Sequence, residues 1–241
     1  MAGHSRGCPA YLADLLRFKA RYGGSISFMP CLHDWFEEGG STSNEYFWQD
    51  LYVARLIHAD APEKHVDVGS RVDGFVAHVA SFREIEVIDV RPITAPVPGI
   101  VFKQADVMNL PDSFHNYCDS LSCLHALEHF GLGRYGDPIA PDGHLLGLKN
   151  MAKMLKPGGI FYLSAPVGRE RVEFNAHCII DPFKIARYAA EQGLLLKGLA
   201  YAEDSNKFVV SEDLEKALLH TGQQKYCLAI FTFEKCRDAE S

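Results

Sequence analysis

Nothing in the 241-residue chain approaches the run of about 18 uninterrupted apolar residues that a membrane span requires. The opening stretch "MAGHSRGCPAYLADLL" also lacks the apolar core of a signal peptide. A soluble, cytoplasmic protein with no membrane insertion is the expectation. The seven cysteines (Cys8, Cys31, Cys118, Cys123, Cys178, Cys227, Cys236) are odd in number and contain no C-x-x-C pair. That argues for reduced thiols over a disulfide scaffold. Basic clusters are missing too: 24 Lys and Arg stand against 31 Asp and Glu, a net charge of -7. A long polyanion needs a basic face, so nucleic-acid partners are not expected. A small local pocket for a phosphorylated or nucleotide-linked substrate remains open. Repeats and low-complexity tracts are absent. With 47% hydrophobic residues, the chain holds enough apolar material for one α/β core.

What is present is an alternation. Residues 9 to 20 space apolar side chains like a short amphipathic helix. A Gly/Ser-rich loop follows, and then a helix from about Asn44 to Ala59, with Ser43 or Asn44 as N-cap and Pro62 as a stop. From Lys64 onward, short β-rich runs such as "KHVDVG", "EIEVIDV" and "CDSLSCL" alternate with helical patterns. "KYCLAIFTFEK" is the strong final strand. Such alternation predicts a parallel, doubly wound sheet. The expected division is an N-terminal helical extension or lid over 1–62 and a Rossmann-like domain over 63–241.

The first strand runs into "DVGSRVDG", residues 67 to 74. Glycines there let the backbone turn tightly against a cofactor at a helix N-terminus. Gly69 and Gly74 match the outer glycines of G-x-G-x-x-G, and Arg71 replaces the middle one. A pyrophosphate is then hard to accommodate. Asp67 and Asp73 beside the loop suit a cationic ligand. Asp89, 20 residues after Gly69, ends the second strand, where a carboxylate accepts bonds from both ribose hydroxyls. A cationic ribonucleoside without pyrophosphate describes S-adenosyl-L-methionine.

"HVDVGSRVDG", "IEVIDV", "QADVMNLP", "YCDSLSCLHALEHF" and "MLKPGGIFYLSAP" together resemble the class I S-adenosylmethionine-dependent methyltransferases. The resemblance covers residues 64 to 166 and implies a mostly parallel Rossmann-like sheet with an antiparallel last strand. It implies a cofactor site from Asp67, Gly69, Ser70, Arg71 and Gly74, with Asp89 and Val90 at the ribose. Asp106 and Val107 would border the adenine, and Leu124 would close the set. Arg71 and Asp73 depart from the glycines usual in the family. More narrowly, "SCLHALEHFGLGRYGDP" and "RVEFNAH" look like a branch whose bacterial members are associated with surface-polysaccharide synthesis. That implies a sugar or nucleotide-sugar acceptor and methylation of a sugar hydroxyl.

His125, Glu128 and His129 form H-x-x-E-H, which alone suggests a zinc peptidase. Such a site needs a long helix, whereas Gly131 and Gly133 end this one within two turns. The stretch is also similar to the C-L-x-x-L-E-H of O-methyltransferases of ubiquinone synthesis, where the matching positions are linked to divalent-metal binding and substrate deprotonation. Three readings stay open: structural support, acid–base work with His129 as the first choice of base, and metal ligation by all three residues. His125 and His129, four apart, are expected on one helical face. His177, in the polar loop "GRERVEFNAH", is a further catalytic candidate, and Asp181 before Pro182 is a helix N-cap. Trp35, Phe36, Tyr46, Phe47 and Trp48 are lid or core aromatics, and His33 and Asp34 are weaker site candidates. The expected function is methyl transfer to a small acceptor. The alternatives are a catalytically inactive cofactor-binding partner subunit and N- or C-methylation.

Overall fold

The computed structural model describes residues 2–34, 37, 39, 42, 44–203 and 207–237. The chain divides into two compact units, residues 1–42 and 43–241. The smaller contains helix α1 (Ala2–Lys19), and His33 and Asp34 belong to it. Trp35, Phe36 and Ser43 lie outside the described residues.

The larger unit opens with α2 (Glu45–Asp60), whose N-cap Asn44 accepts a hydrogen bond from the Tyr46 amide. The sequence break expected at 62/63 and the observed division at 42/43 differ by this helix. β1 (His65–Val68) follows, then a π-type turn and α3 (Ala77–Ala80), β2 (Ile85–Asp89), β3 (Ile100–Gln104) and β4 (Cys118–Leu124). Next come α4 (Gly143–Met154), β5 (Leu155–Val167), and a hairpin of β6 (Arg171–Glu173) and β7 (His177–Ile179). The chain ends with α5 (Pro182–Glu191), β8 (Leu194–Ala202), β9 (Phe208–Ser211), α6 (Leu214–Gln223) and β10 (Cys227–Lys235). Asp181 and Asp213 cap α5 and α6. Among the described residues, no helix is long and apolar enough to cross a membrane.

Eight strands form one sheet in the order β3-β2-β1-β4-β5-β10-β8-β9. β1 to β5 pair in parallel, and β10 inserts antiparallel between β5 and β8. The expected Rossmann-like α/β architecture with an antiparallel last strand is therefore the observed one. β6, β7 and β9 were not anticipated, because each has only three or four residues. Alternation along β10 shows how both sheet faces are buried. Ala229, Phe231 and Phe233 pack with α4, α5 and α6, while Leu228 and Ile230 pack on the side of α2 and α3. Burying each large apolar side chain contributes about 1.5–3 kcal/mol.

Strand order reverses between β2–β1 and β4–β5, which opens a crevice at the strands' carboxyl ends. A buried polar chain crosses it. Ser122 Oγ donates to Asp67 Oδ1 (2.6 Å), so it accepts from His65 Nε2 (3.1 Å). His65 Nδ1 is then left to accept from Ser120 Oγ (2.8 Å). Burial, aided by Arg83, pushes His65 down to about 3, and burial pushes Asp67 up to about 6. Their pH effects oppose each other. His65, depressed on folding, gives stability that is full above pH 6.5 and is lost as pH falls toward 3. Asp67, raised on folding, gives stability that is full below about 3.8 and is lost as pH rises through about 6. His65→Asn should gain on the parent chain as pH falls from 7 to 4 in urea-unfolding series. A difference that does not change with pH would remove His65 from the acid response.

Candidate functional site

A cavity of about 490 Å³ lies in this crevice. Gly69 after β1, Asp89 at the end of β2, Asp106 after β3, His125 after β4 and Pro166 near the end of β5 all line it. The sheet order thus sets Asp106 and Asp89 toward one end and the histidines toward the other.

Gly69 has φ +70, and a Cβ there would stand 2.9 Å from the Ala126 Cβ. The turn needs glycine on both counts. Gly74 lies off the cavity; a Cβ on it would meet the Asp50 carboxylate of α2 at 2.7 Å. Asp67 is fully buried, and its carboxyl takes the Ser70 amide (3.0 Å) and the Ser70 hydroxyl (2.6 Å). Ser70 Oγ in turn accepts from the Leu124 amide (3.1 Å). Asp67, Ser70 and Leu124 therefore brace the loop from behind the cavity wall. Arg71 does line the cavity, and it forms a two-pronged ion pair with exposed Asp73 (3.0 and 2.7 Å). The loop is thus less acidic toward a ligand than the sequence suggested, because one carboxyl faces inward and the other is neutralised.

Asp89, Val90, Asp106 and Val107 line the cavity as a group. The Asp89 carboxylate is already engaged by the Arg91 amide (2.8 Å), Nε (3.1 Å) and Nη2 (2.8 Å). Arg91 lies 4.2 Å over the Tyr135 ring. A ribose at Asp89 has to displace or share that guanidinium.

His125 departs from the expected helix. Its φ is +50, and only Leu127–His129 form a 3₁₀ turn. His125 and His129 therefore do not share an α-helical face, and the long-helix zinc-peptidase geometry is absent. A left-handed histidine costs on the order of 1–3 kcal/mol. The His125 amide is held by the carbonyl and hydroxyl oxygens of Ser164, at 3.1 Å each. His125 Nδ1 lies 2.8 Å from Glu128 Oε1, and both side chains are largely shielded from solvent. Burial opposes the charge on His125, but Glu128, then Glu45 and Asp50, raise its pKa overall. Glu128 is lowered in turn: burial raises it, and His125 more than offsets that. The pair thus favours the imidazolium and the carboxylate over their neutral forms. His125 Nε2 and Glu128 Oε2 are buried without a hydrogen-bond partner, which marks them as groups awaiting one.

His129 is the opposite case. Burial lowers its pKa against the pull of Glu128, so it is neutral near pH 7. Its Nδ1 is 2.7 Å from the Ala176 carbonyl, which only accepts, so the proton is on Nδ1 and the lone pair on Nε2. His177 also lines the cavity, with Nε2 buried, without a hydrogen bond and 3.4 Å from Glu173 Oε2. The structure thus brings His125, Glu128, His129 and His177 to one cavity. Among the described residues, no group of three or more His, Cys, Asp or Glu is placed to hold a metal ion. Metal ligation by His125, Glu128 and His129 therefore finds no support in the geometry, where the first two pair through Nδ1 and Oε1.

Several wall residues escaped sequence reading: Arg91, Arg134, Tyr135 and Tyr226. Tyr46 tilts over the His125 ring at 4.7 Å, and Tyr226 Oη donates to Glu45 Oε1 (2.7 Å). Of the described aromatics proposed as a lid, Tyr46 alone lines the cavity, while Trp48 stacks on Phe208. "GRYGD" did carry a usable signal. Asp137 accepts from the amides of Gly131, Gly133 and Tyr135, a loop-folding role typical of Asp among glycines.

With this geometry in hand, the class is clear: the architecture is the Rossmann-like methyltransferase fold. The N-methyltransferase NodS from Bradyrhizobium japonicum WM9, solved with S-adenosyl-L-homocysteine, matches with a TM-score of 0.55 and 15% identity over 80% of this chain and 88% of that one. The 1,6-didemethyltoxoflavin-N1-methyltransferase of Burkholderia thailandensis matches with a TM-score of 0.52 and 15% identity over 95% and 90%. The [4+2]-cyclase SpnF matches with a TM-score of 0.55 and 14% identity over 83% and 86%. At such identities the likeness establishes the fold, and folds host more than one reaction. By sequence, the chain belongs to the family described as Caenorhabditis protein of unknown function, DUF268. Its model matches residues 101–228, just over half of the 241 residues. No curated protein matches the chain.

Replacing Glu128 by Gln removes the charge that most raises the His125 pKa. The His125 titration, followed by imidazole NMR, should move to lower pH, whereas an unmoved midpoint would show that Glu128 is not its counter-ion.

Proposed function

We propose that the protein binds S-adenosyl-L-methionine and catalyses methyl transfer to a hydroxyl of a small acceptor, with His129 as general base. One observation carries this reading: a single cavity joins Gly69, Asp89 and Asp106 to a neutral histidine whose lone pair is fixed on Nε2. The residues present fit the cofactor. The Gly69 turn leaves no room for a side chain, and Asp89 offers a carboxylate at the end of β2. Bound there, S-adenosyl-L-methionine supplies an electrophilic methyl group on a sulfonium. Hydroxyl acceptors need their proton removed as the bond to the methyl forms, which a neutral imidazole does. His125 and Glu128 position the turn that carries His129. The resemblance to a polysaccharide-associated branch supports a sugar or nucleotide-sugar as acceptor. The N- and C-methyl reading, and that of a catalytically silent partner subunit, are the rivals.

Calorimetry with S-adenosylhomocysteine tests the cofactor. Asp89→Asn should weaken binding by at least about tenfold, the scale of a hydrogen bond to a charged group. Arg91→Gln should leave affinity unchanged or strengthen it by up to about fivefold, since a partly exposed ion pair is worth no more than about 1 kcal/mol. No binding by the parent chain would sink the proposal.

The chemistry is tested by turnover. His129→Gln should keep cofactor affinity and lose the limb of kcat that rises with pH below neutrality and follows the neutral imidazole. A pH profile identical to the parent's would rule His129 out as base.

A further inference from the structure

The charges around the cavity do not balance at its histidine end. Each carboxylate there has partners: His125 holds Glu128, three backbone amides hold Asp137, and Glu173 beside His177 is paired with Arg171 (2.8 Å). Arg134 is different. Its Nη1 donates to the Ala176 carbonyl (2.7 Å), and its guanidinium lies 5.3 Å from the Tyr135 ring centre. It forms no ion pair with any carboxylate among the described residues. A guanidinium carries five N–H donors in a fork matched to planar or tetrahedral oxyanions, so most of its capacity is unused.

Two features turn this from a loose surface arginine into a presented one. Asp137 ties the backbone on both sides of Arg134, through the Gly133 and Tyr135 amides. The carbonyl that Arg134 grips also belongs to Ala176, the residue before His177, a cavity-lining imidazole whose buried Nε2 makes no hydrogen bond and lies 3.4 Å from the Glu173 carboxylate. Guanidinium and imidazole are thereby joined through one short stretch of chain beside His129.

We propose that this end of the cavity binds an anionic group, a phosphate or carboxylate carried by the acceptor, with Arg134 as its main cationic contact and His177 as a second donor. The word acceptor rests on the methyl-transfer reading, while the anion site itself does not. The rival is that Arg134 only tethers the 171–179 hairpin.

Inorganic phosphate, titrated into the full chain at constant ionic strength, tests this with and without S-adenosylhomocysteine. Saturable phosphate binding is expected in the parent and, within about fivefold, in Arg134→Lys. Arg134→Gln should lose at least about tenfold, while S-adenosylhomocysteine affinity stays within about twofold throughout. Acetate serves as the second anion: competition equal to phosphate assigns a carboxylate, and weaker competition assigns a phosphate. Equal phosphate affinity in parent and Arg134→Gln, or no saturable binding in either condition, overturns the proposal. Loss of cofactor binding alone strikes the methyl-transfer reading and leaves the phosphate result standing.

Discussion

The Asp67 carboxyl, shut away from water between β1 and β4, is the constraint on which the site depends. Burying a carboxyl costs free energy unless every lone pair is met. Here two serine hydroxyls and an amide meet it, and the chain of donors runs back through His65 to Ser120. Because Ser70 also takes the Leu124 amide, the turn after β1 and the exit of β4 are locked to one another. Gly69 leaves the first, His125 the second. The two halves of the cavity are therefore fixed by groups that do not line it.

Outward from that lock, the wall is built in layers of differing charge state. His125 and Glu128 form an internal ion pair whose worth is geometric: it holds a left-handed residue and a short 3₁₀ turn in place. His129, one position beyond, is kept neutral by burial, with its tautomer set by a backbone carbonyl. Two imidazoles four residues apart are thus shifted in opposite directions, because a carboxylate at hydrogen-bond distance raises one and burial lowers the other. Separating such groups is how one site holds both a charge and a base near neutral pH.

The fold was legible in the sequence because it rests on long periodic signals. Alternating β and α runs from Lys64, a glycine after the first strand, and Asp or Asn before α2, α5 and α6 mark the elements, since both sheet faces and the helix starts obey local rules. The short strands β6, β7 and β9 were not legible, as each has only three or four residues in a polar loop or beside one. Gly69, Asp89, Asp106 and His125 were placed by the sequence pattern at strand ends, and each does line the cavity there. The helical reading of His125–His129 failed at one residue. Spacing of four says nothing about a backbone that enters the left-handed region first. Tyr226 was hidden because its place in the wall depends on packing from distant segments. Arg91 was hidden because its partner Asp89 was read as free.

That last miss bears on how the site works. The Asp89 carboxylate is held in place at the end of β2 by a neighbouring arginine, at little cost because the pair is partly exposed. Arg134 has no such inner partner: it is fixed by a carbonyl, which leaves its charge uncompensated. One arginine is balanced by a carboxylate and the other is held by a carbonyl alone. The difference between them, read from their partners, gives the two ends of a single cavity different charge.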